Sequence, residues 1–413
     1  MSHKVTVEQE STIKMKFGLL DNPKAFCNLL NRCQDYLYGN KVIKIDEYLL
    51  KTIAHQKSEK RYQSFQIKKK SGGERTIHAP KPELKVVLSC LNLIFQCIYS
   101  PHTAAYGFVE NKSVADNAKL HCRNNYVFNL DLKDFFPSIE IGRILNRLSY
   151  PPFNLNKENG REQIGNYIAW LACDEMEVER IIDGKIQKVV KRVLPQGSPL
   201  SPILTNIICE KLDKQLTGVA NRFGVKYSRY ADDITFSSMH NVYQENTEFR
   251  SEVLRIINSQ YFLINESKVR LQKQNVRQEV TGITVNKDIN VSKSYVKRLR
   301  LWLSMWEKYG IDKAYELFLN GYKKDKGYTK KIGQTPAFME NVIAGKLNYL
   351  KMIKGEENST YIQLKTRYEK LSTRSISIDE LLDTWETEGI DVAKNQYYNF
   401  KYRNYTDNVI FTL

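Results

Sequence analysis

Three aspartates in two short strings carry the strongest chemical signal of the chain. Asp232 and Asp233 stand in Tyr230-Ala231-Asp232-Asp233, and Asp131 lies about a hundred residues earlier in Asn129-Leu130-Asp131-Leu132-Lys133-Asp134-Phe135-Phe136. Neighbouring carboxylates flanked by apolar residues are expensive to place in a sheet unless a cation sits on them. Phosphoryl transfer supplies such a cation: two Mg2+ ions roughly 4 Å apart stabilise the attacking and the leaving oxygen of an in-line displacement. A turn-forming Asp-Asp and a capping aspartate would account for either string alone, so the flanking sequence has to decide.

The elements needed to bring these carboxylates together are legible. Val127 to Leu132 reads as a buried strand with Asp131 at its end, and Lys226–Arg229 with Ile234–Ser237 as a hairpin presenting Asp232 and Asp233 at its tip. Between them, Leu194-Pro195-Gln196-Gly197-Ser198-Pro199-Leu200-Ser201-Pro202 precedes a helical run from Ile203 to Leu216. Gly197 permits close backbone approach, and Ser198 with Pro199 reads as an N-cap followed by Pro at the first helical position. Upstream, Phe65–Lys70 and Glu74–Pro80 flank Ser71-Gly72-Gly73 as a basic hairpin, and Asp183-Gly184 reads as a second hairpin turn.

In this order the strings resemble the palm of a reverse transcriptase, and the resemblance covers roughly residues 25 to 355. It implies an α+β right-hand polymerase fold with fingers, a palm of antiparallel sheet plus helices, and a helical thumb. It makes Asp131, Asp232 and Asp233 the ligands of two Mg2+ ions. The basic hairpin corresponds to the fingers, with Arg75 as the triphosphate contact and Lys69 as a further candidate. Phe136 falls where the family blocks a ribose 2′-hydroxyl, Gln196 where a glutamine lines the nucleotide pocket, and Lys268, in Asn265-Glu266-Ser267-Lys268, where a lysine protonates the leaving pyrophosphate. Asp134 is read as shaping the loop under the triphosphate.

Two further strings resemble the signatures of bacterial retron reverse transcriptases. Asn117-Ala118-Lys119-Leu120-His121 follows a helix start at Ser113 with Asp116 three later, so that Asn117 and His121 share a face. Val280-Thr281-Gly282 follows the last palm strand. In that family these regions are associated with recognition of RNA, which makes Asn117, His121 and Thr281 candidate RNA-binding residues. The resemblance implies a cognate structured noncoding RNA as template, deoxynucleoside triphosphates as substrates, an RNA–DNA hybrid product, and a role in anti-phage defence with a separate effector protein. A defence reverse transcriptase outside the retrons, primed differently, and a non-catalytic RNA-binding scaffold are the alternatives. Three intact aspartates argue against the scaffold.

Composition agrees. A net charge of +17 over 413 residues, with 25 tyrosines, suits a polyanionic partner with unpaired bases. Seven cysteines without a C-x-x-C pair point to reduced thiols in a cytoplasm, which the resemblance makes bacterial, rather than to a zinc site or disulfides. No apolar run approaches the roughly 20 residues of a membrane span. The expected organisation is an N-terminal helical segment over 1–60, fingers over 61–125, a palm with inserted fingers elements over 126–290, a thumb over 291–370 and a tail over 371–413. Tyr295, Leu299, Trp302, Leu303 and Trp306 give the thumb an apolar stripe opposite Lys297, Arg298 and Arg300. The tail carries a net charge of −3 and an aromatic cluster, Tyr397, Tyr398, Phe400, Tyr402 and Tyr405, which suits protein docking better than a phosphate backbone.

Overall fold

Helix starts in the first sixty residues follow their caps. Thr6 accepts from the Gln9 amide at the head of α1 (Val7–Gly18), Asn22 caps α2 (Pro23–Tyr38) directly before its proline, and Asp46 caps α3 (Glu47–His55). A single turn, α4 (Ser58–Arg61), leads into the hairpin of β1 (Tyr62–Lys68) and β2 (Glu74–Pro80), paired from Tyr62 opposite Pro80 to Lys68 opposite Glu74. The computed structural model describes residues 5–39, 42–68, 73–326, 338–372 and 378–394. Lys69, at the tip of that hairpin, lies outside them. The chain divides into two compact units, Lys4–Asn290 and the chain from Val291 on.

In the larger unit, α5 (Pro82–Ile98) buries Leu84, Leu88, Leu91 and Phe95 at helical spacing. Each such side chain contributes about 1.5–3 kcal/mol when removed from water. Then come α6 (Val114–Leu120), β3 (Tyr126–Asp131), α7 (Ile141–Leu148), α8 (Glu162–Ala172), the hairpin β4 (Asp174–Ile182) and β5 (Lys185–Val193), α9 (Ser201–Arg222), β6 (Lys226–Tyr230), β7 (Asp233–Ser238), α10 (Glu248–Ser259), β8 (Arg270–Lys273), and the short β9 (Glu279–Val280) and β10 (Ile283–Thr284). The root of the first hairpin is held by a buried ion pair. Arg61 donates to Asp174 at 3.3 Å and to the carbonyls of Trp170 and Leu171 at 2.9 and 3.0 Å, while Ser58 donates to the other Asp174 oxygen.

One four-stranded antiparallel sheet, in the order β6-β7-β3-β8, organises the unit. Strand alternation gives it two unlike faces. Phe128, Leu130, Ile234, Phe236 and Tyr227 point into the hydrophobic core, where Tyr227 stacks on Phe236 and Phe236 meets Phe249 of α10. The opposite parity carries Asn129, Asp131, Asp233, Thr235, Ser237 and Ser228, a polar row ending in the two aspartates.

The smaller unit is helical. α11 (Lys293–Lys326) breaks at Gly310, whose φ of 73° and ψ of 173° no helix contains, and is followed by α12 (Met339–Lys354), α13 (Ser359–Ser372) and α14 (Ile378–Glu388). The expected stripe is its core: Leu299, Trp302, Leu303 and Trp306 are buried, while Lys297, Arg298 and Arg300 are exposed. Of the tail, the aromatic cluster lies outside the described residues. No helix among the described residues is long and apolar enough to cross a membrane, and none of the seven cysteines is in a disulfide.

Candidate active site

Asp131 and Asp233 are Cα partners across β3 and β7, and Asp232 sits in the turn between β6 and β7. That turn is tight because Ala231 adopts φ 56°, a left-handed conformation that reverses the chain within two residues. The end of β3 is fixed from both sides. The Leu132 amide donates to the Asp232 carbonyl at 3.0 Å, and the Asn265 amide donates to the Asp131 carbonyl at 2.8 Å. The Asp131 carboxylate accepts from Lys268 Nζ at 2.7 Å on one oxygen and from Asn265 Nδ2 at 3.2 Å on the other.

The electrostatics are those of crowded anions. Burial, and then the neighbouring Asp131, raise the proton affinity of Asp232; Lys268 and Arg75 oppose this. Asp233 is pushed up to about 7, by burial first and then by Asp232 and Asp131, with Lys268 and Arg270 opposing. These are hard oxygen donors with no sulfur or imidazole among them, a set that fits hard divalent cations such as Mg2+. Among the described residues no three His, Cys, Asp or Glu side chains are already drawn into a closed cage, since Asp131 is engaged by Lys268 and Asn265. The carboxylates fit the ions as a cluster whose mutual repulsion a divalent cation relieves.

The other expected residues gather around this cluster in part. Arg75, on β2 opposite Ile67, acts electrostatically on Asp232. The Gln196 carbonyl accepts from the His78 amide at 2.8 Å, so the Gln196 loop is fastened to the same strand three residues from Arg75. Gly197 makes this possible. With φ 120°, a Cβ there would lie 2.8 Å from the His78 carbonyl oxygen and from Ile77 Cγ2. Phe136 is half-buried, with Phe135 at 5.5 Å and Phe108 at 6.3 Å between ring centroids. Asp134 has φ 46° and its carbonyl accepts from Ser138, which shapes the loop after β3. Phe108, exposed and itself at φ 60°, had no signal in the sequence to set it apart.

Two expectations are corrected. Helix α9 begins at Ser201 with Pro202 in its first turn, two residues later than Ser198 and Pro199 imply; Ser201 Oγ donates to the Pro195 carbonyl instead of capping. The face shared by Asn117 and His121 is turned inward, at 1% and 0% exposure. His121 bonds Ser237 Oγ at 2.8 Å and Ser228 Oγ at 2.7 Å, and Ser228 donates to Asn117 Oδ1 at 2.6 Å. Helix α6, started by the expected Ser113–Asp116 capping box, thus covers the far end of the polar row of the sheet, and direct contact of these two side chains with RNA is closed off. Thr281 sits at the tip of the β9–β10 hairpin at φ 47°, costly for a β-branched residue. Gln278, just before β9, donates to the carbonyls of Asn124 and Asn125, so the two retron-like strings adjoin.

Comparison with known proteins agrees with this geometry. Residues 67–285, more than half of the chain, match the family model "Reverse transcriptase (RNA-dependent DNA polymerase)". Retron Mx162 reverse transcriptase of Myxococcus xanthus is 37% identical over 54% of this chain and 47% of its own length. Retron Mx65 reverse transcriptase, from the same organism, is 32% identical over 63% of this chain and 59% of its own. Retron Ec73 reverse transcriptase of Escherichia coli is 30% identical over 59% of this chain and 75% of its own. The match therefore spans about half the length of the first relative and three fifths of the second. An acidic pair in register on an antiparallel sheet, a basic hairpin joined to the loop beside it, and these matches together mean that the chain has the right-hand polymerase fold and belongs to the reverse transcriptases, and within them to the retron type.

Proposed function

We propose that this chain is an RNA-directed DNA polymerase that copies part of a cognate structured noncoding RNA into DNA. The observation that carries the reading is the register of Asp131 against Asp233, with Asp232 in the adjoining turn and Arg75 within electrostatic reach. Bound by these three carboxylates, two Mg2+ ions would supply Lewis acidity to the attacking hydroxyl and to the leaving oxygen. Arg75 offers the triphosphate a planar, permanently charged donor. Phe136 stands where a ribose 2′-hydroxyl would have to fit, which favours deoxynucleotides. Gln196, held to β2 through its carbonyl, is assigned to the sugar side of the same proposed pocket. Lys268, which donates to the Asp131 carboxylate, is the residue we assign to hand a proton to the departing pyrophosphate.

The net charge of +17 supports a long polyanionic partner. Kinship with retron enzymes supports priming from the RNA itself, a bacterial cytoplasmic setting, and anti-phage defence with a separate effector protein. Thr281, part-exposed at the tip of its hairpin although its hydroxyl is buried without a protein partner, remains the candidate contact for the cognate RNA.

The test is to express the chain with the noncoding RNA encoded beside it, purify the complex and sequence the nucleic acid. The wild type should carry DNA joined to RNA, and Asp232→Asn with Asp233→Asn should carry the RNA alone. DNA synthesis undiminished in the double variant would sink the assignment. RNA bound by both proteins with DNA in neither would favour the scaffold reading.

A further inference from the structure

Behind the turn that carries Asp232 and Asp233 lies a buried polar assembly that no part of the proposed chemistry uses. Arg229, the last inward-facing residue of β6, is wholly buried. It donates to both oxygens of Asp213 on α9, through Nε at 2.8 Å and Nη2 at 2.6 Å. Its Nη2 also donates to Asn206 Oδ1 at 3.1 Å, and its Nη1 reaches the carbonyl of Ala231, inside the turn, at 3.2 Å. The Asn206 amide nitrogen in turn donates to the Gly107 carbonyl at 3.0 Å.

The segment ending at Gly107 runs along the outer edge of β6. The Arg229 amide donates to Ala104 and the Tyr106 amide donates to the Arg229 carbonyl, at 2.9 and 2.8 Å. Gly107 then presses on the turn itself: a Cβ there would lie 2.5 Å from the Ala231 nitrogen and 3.0 Å from the Tyr230 carbonyl carbon. A turn in the left-handed region persists only where its surroundings over-determine it. Here one side is held by a guanidinium on the Ala231 carbonyl and the other by backbone packed against the Ala231 nitrogen.

We infer that Gly107, Asn206 and Arg229 are positioning residues that lock the turn so that Asp232 and Asp233 face Asp131. None of the three is placed to touch nucleotide or template. The inference rests on the polymerase reading for its kinetic consequence but not for its structural one. A misplacement of about 1 Å at a reacting centre costs on the order of 100-fold in rate. The added methyl of Gly107→Ala demands a shift of that order.

Three measurements on the full chain with its RNA test this: single-nucleotide incorporation, thermal unfolding, and hydrogen exchange followed by mass spectrometry over residues 229–234. Gly107→Ala is expected to lower kcat about 100-fold while nucleotide half-saturation stays within about threefold. Exchange should rise in the turn while Tm stays within about 3 °C. Gly142→Ala, at a position with open space around it, serves as the unchanged control. Incorporation and exchange both like wild type would overturn the inference, as would losses of kcat, nucleotide affinity and Tm in parallel. Should Gly107→Ala not fold, Asn206→Ala, which removes the side-chain hydrogen bonds without adding an atom against the turn, is judged by the same criteria. Should the wild type itself prove inactive, the polymerase reading fails, and turn exchange in Asn206→Ala against wild type still decides the positioning claim.

Discussion

Replacing Asp233 by Asn should stabilise the metal-free protein at neutral and alkaline pH and leave its stability unchanged in acid. Burial and the two neighbouring carboxylates raise the Asp233 proton affinity from the ordinary 3.8 to about 7. At about 1.4 kcal/mol for each tenfold in proton affinity, that corresponds to a ceiling of about 4 kcal/mol. The folded state binds this proton more tightly than the unfolded chain. The associated stability is therefore complete below about pH 4 and is lost as pH rises from about 4 through 7. An amide mimics the protonated acid and removes the loss. His121 works in the opposite sense: burial pushes it down to about 3, so it withdraws stability as pH falls through 6.5. The informative quantity is accordingly the difference between variant and wild type, measured by urea unfolding in EDTA from pH 4 to 8. That difference should be near zero at pH 4 and grow to about 1–4 kcal/mol in favour of Asp233→Asn at pH 8. Adding Mg2+ at pH 8 should stabilise wild type more than the variant. A difference that does not depend on pH, or a variant less stable than wild type at pH 8, would refute the reasoning.

Phe136→Ala should raise ribonucleotide incorporation relative to deoxynucleotide in a single-nucleotide assay, and Phe108→Ala, which removes the ring leaning on it, should do so to a smaller extent; unchanged discrimination in both would place the gate elsewhere. Arg61→Met should cost about 3–5 kcal/mol in denaturant unfolding, because it leaves Asp174 buried without its partner. Asn117→Ala with His121→Ala should lower extension of the cognate RNA and of a generic primed template alike, since both side chains are interior braces of the sheet. A loss confined to the cognate RNA would return them to recognition.

The carboxylate cluster was legible because its parts are local. A strand ending in Asp131 and a hairpin tipped by Asp232 and Asp233 each follow from short-range pattern, and antiparallel pairing aligns them. What stayed hidden depends on partners distant in sequence. Asn206, Asp213 and Arg229 look individually like surface polar residues, and only the crossing of α9 over β6 makes them one buried group. Helical spacing put Asn117 and His121 on a common face without saying which way that face turns. The start of α9 differs from the local expectation because Ser201 Oγ is drawn back to the Pro195 carbonyl and Leu200, with no capping side chain, takes the N-cap position, so neither Ser-Pro pair opens the helix in the cap-then-proline arrangement.

Gly197 leaves no slack between the loop it belongs to and the strand bearing Arg75. Two stretches of chain more than a hundred residues apart, the proposed walls of the nucleotide pocket, are thereby welded along one seam. If the nucleotide binds as proposed, extra bulk on its sugar could not push one segment aside without dragging the other, and Arg75 with it. Tolerance for modified nucleotides should be narrow for mechanical reasons, beyond what the ring of Phe136 imposes, and widening it would take a redesign of the seam rather than of the gate.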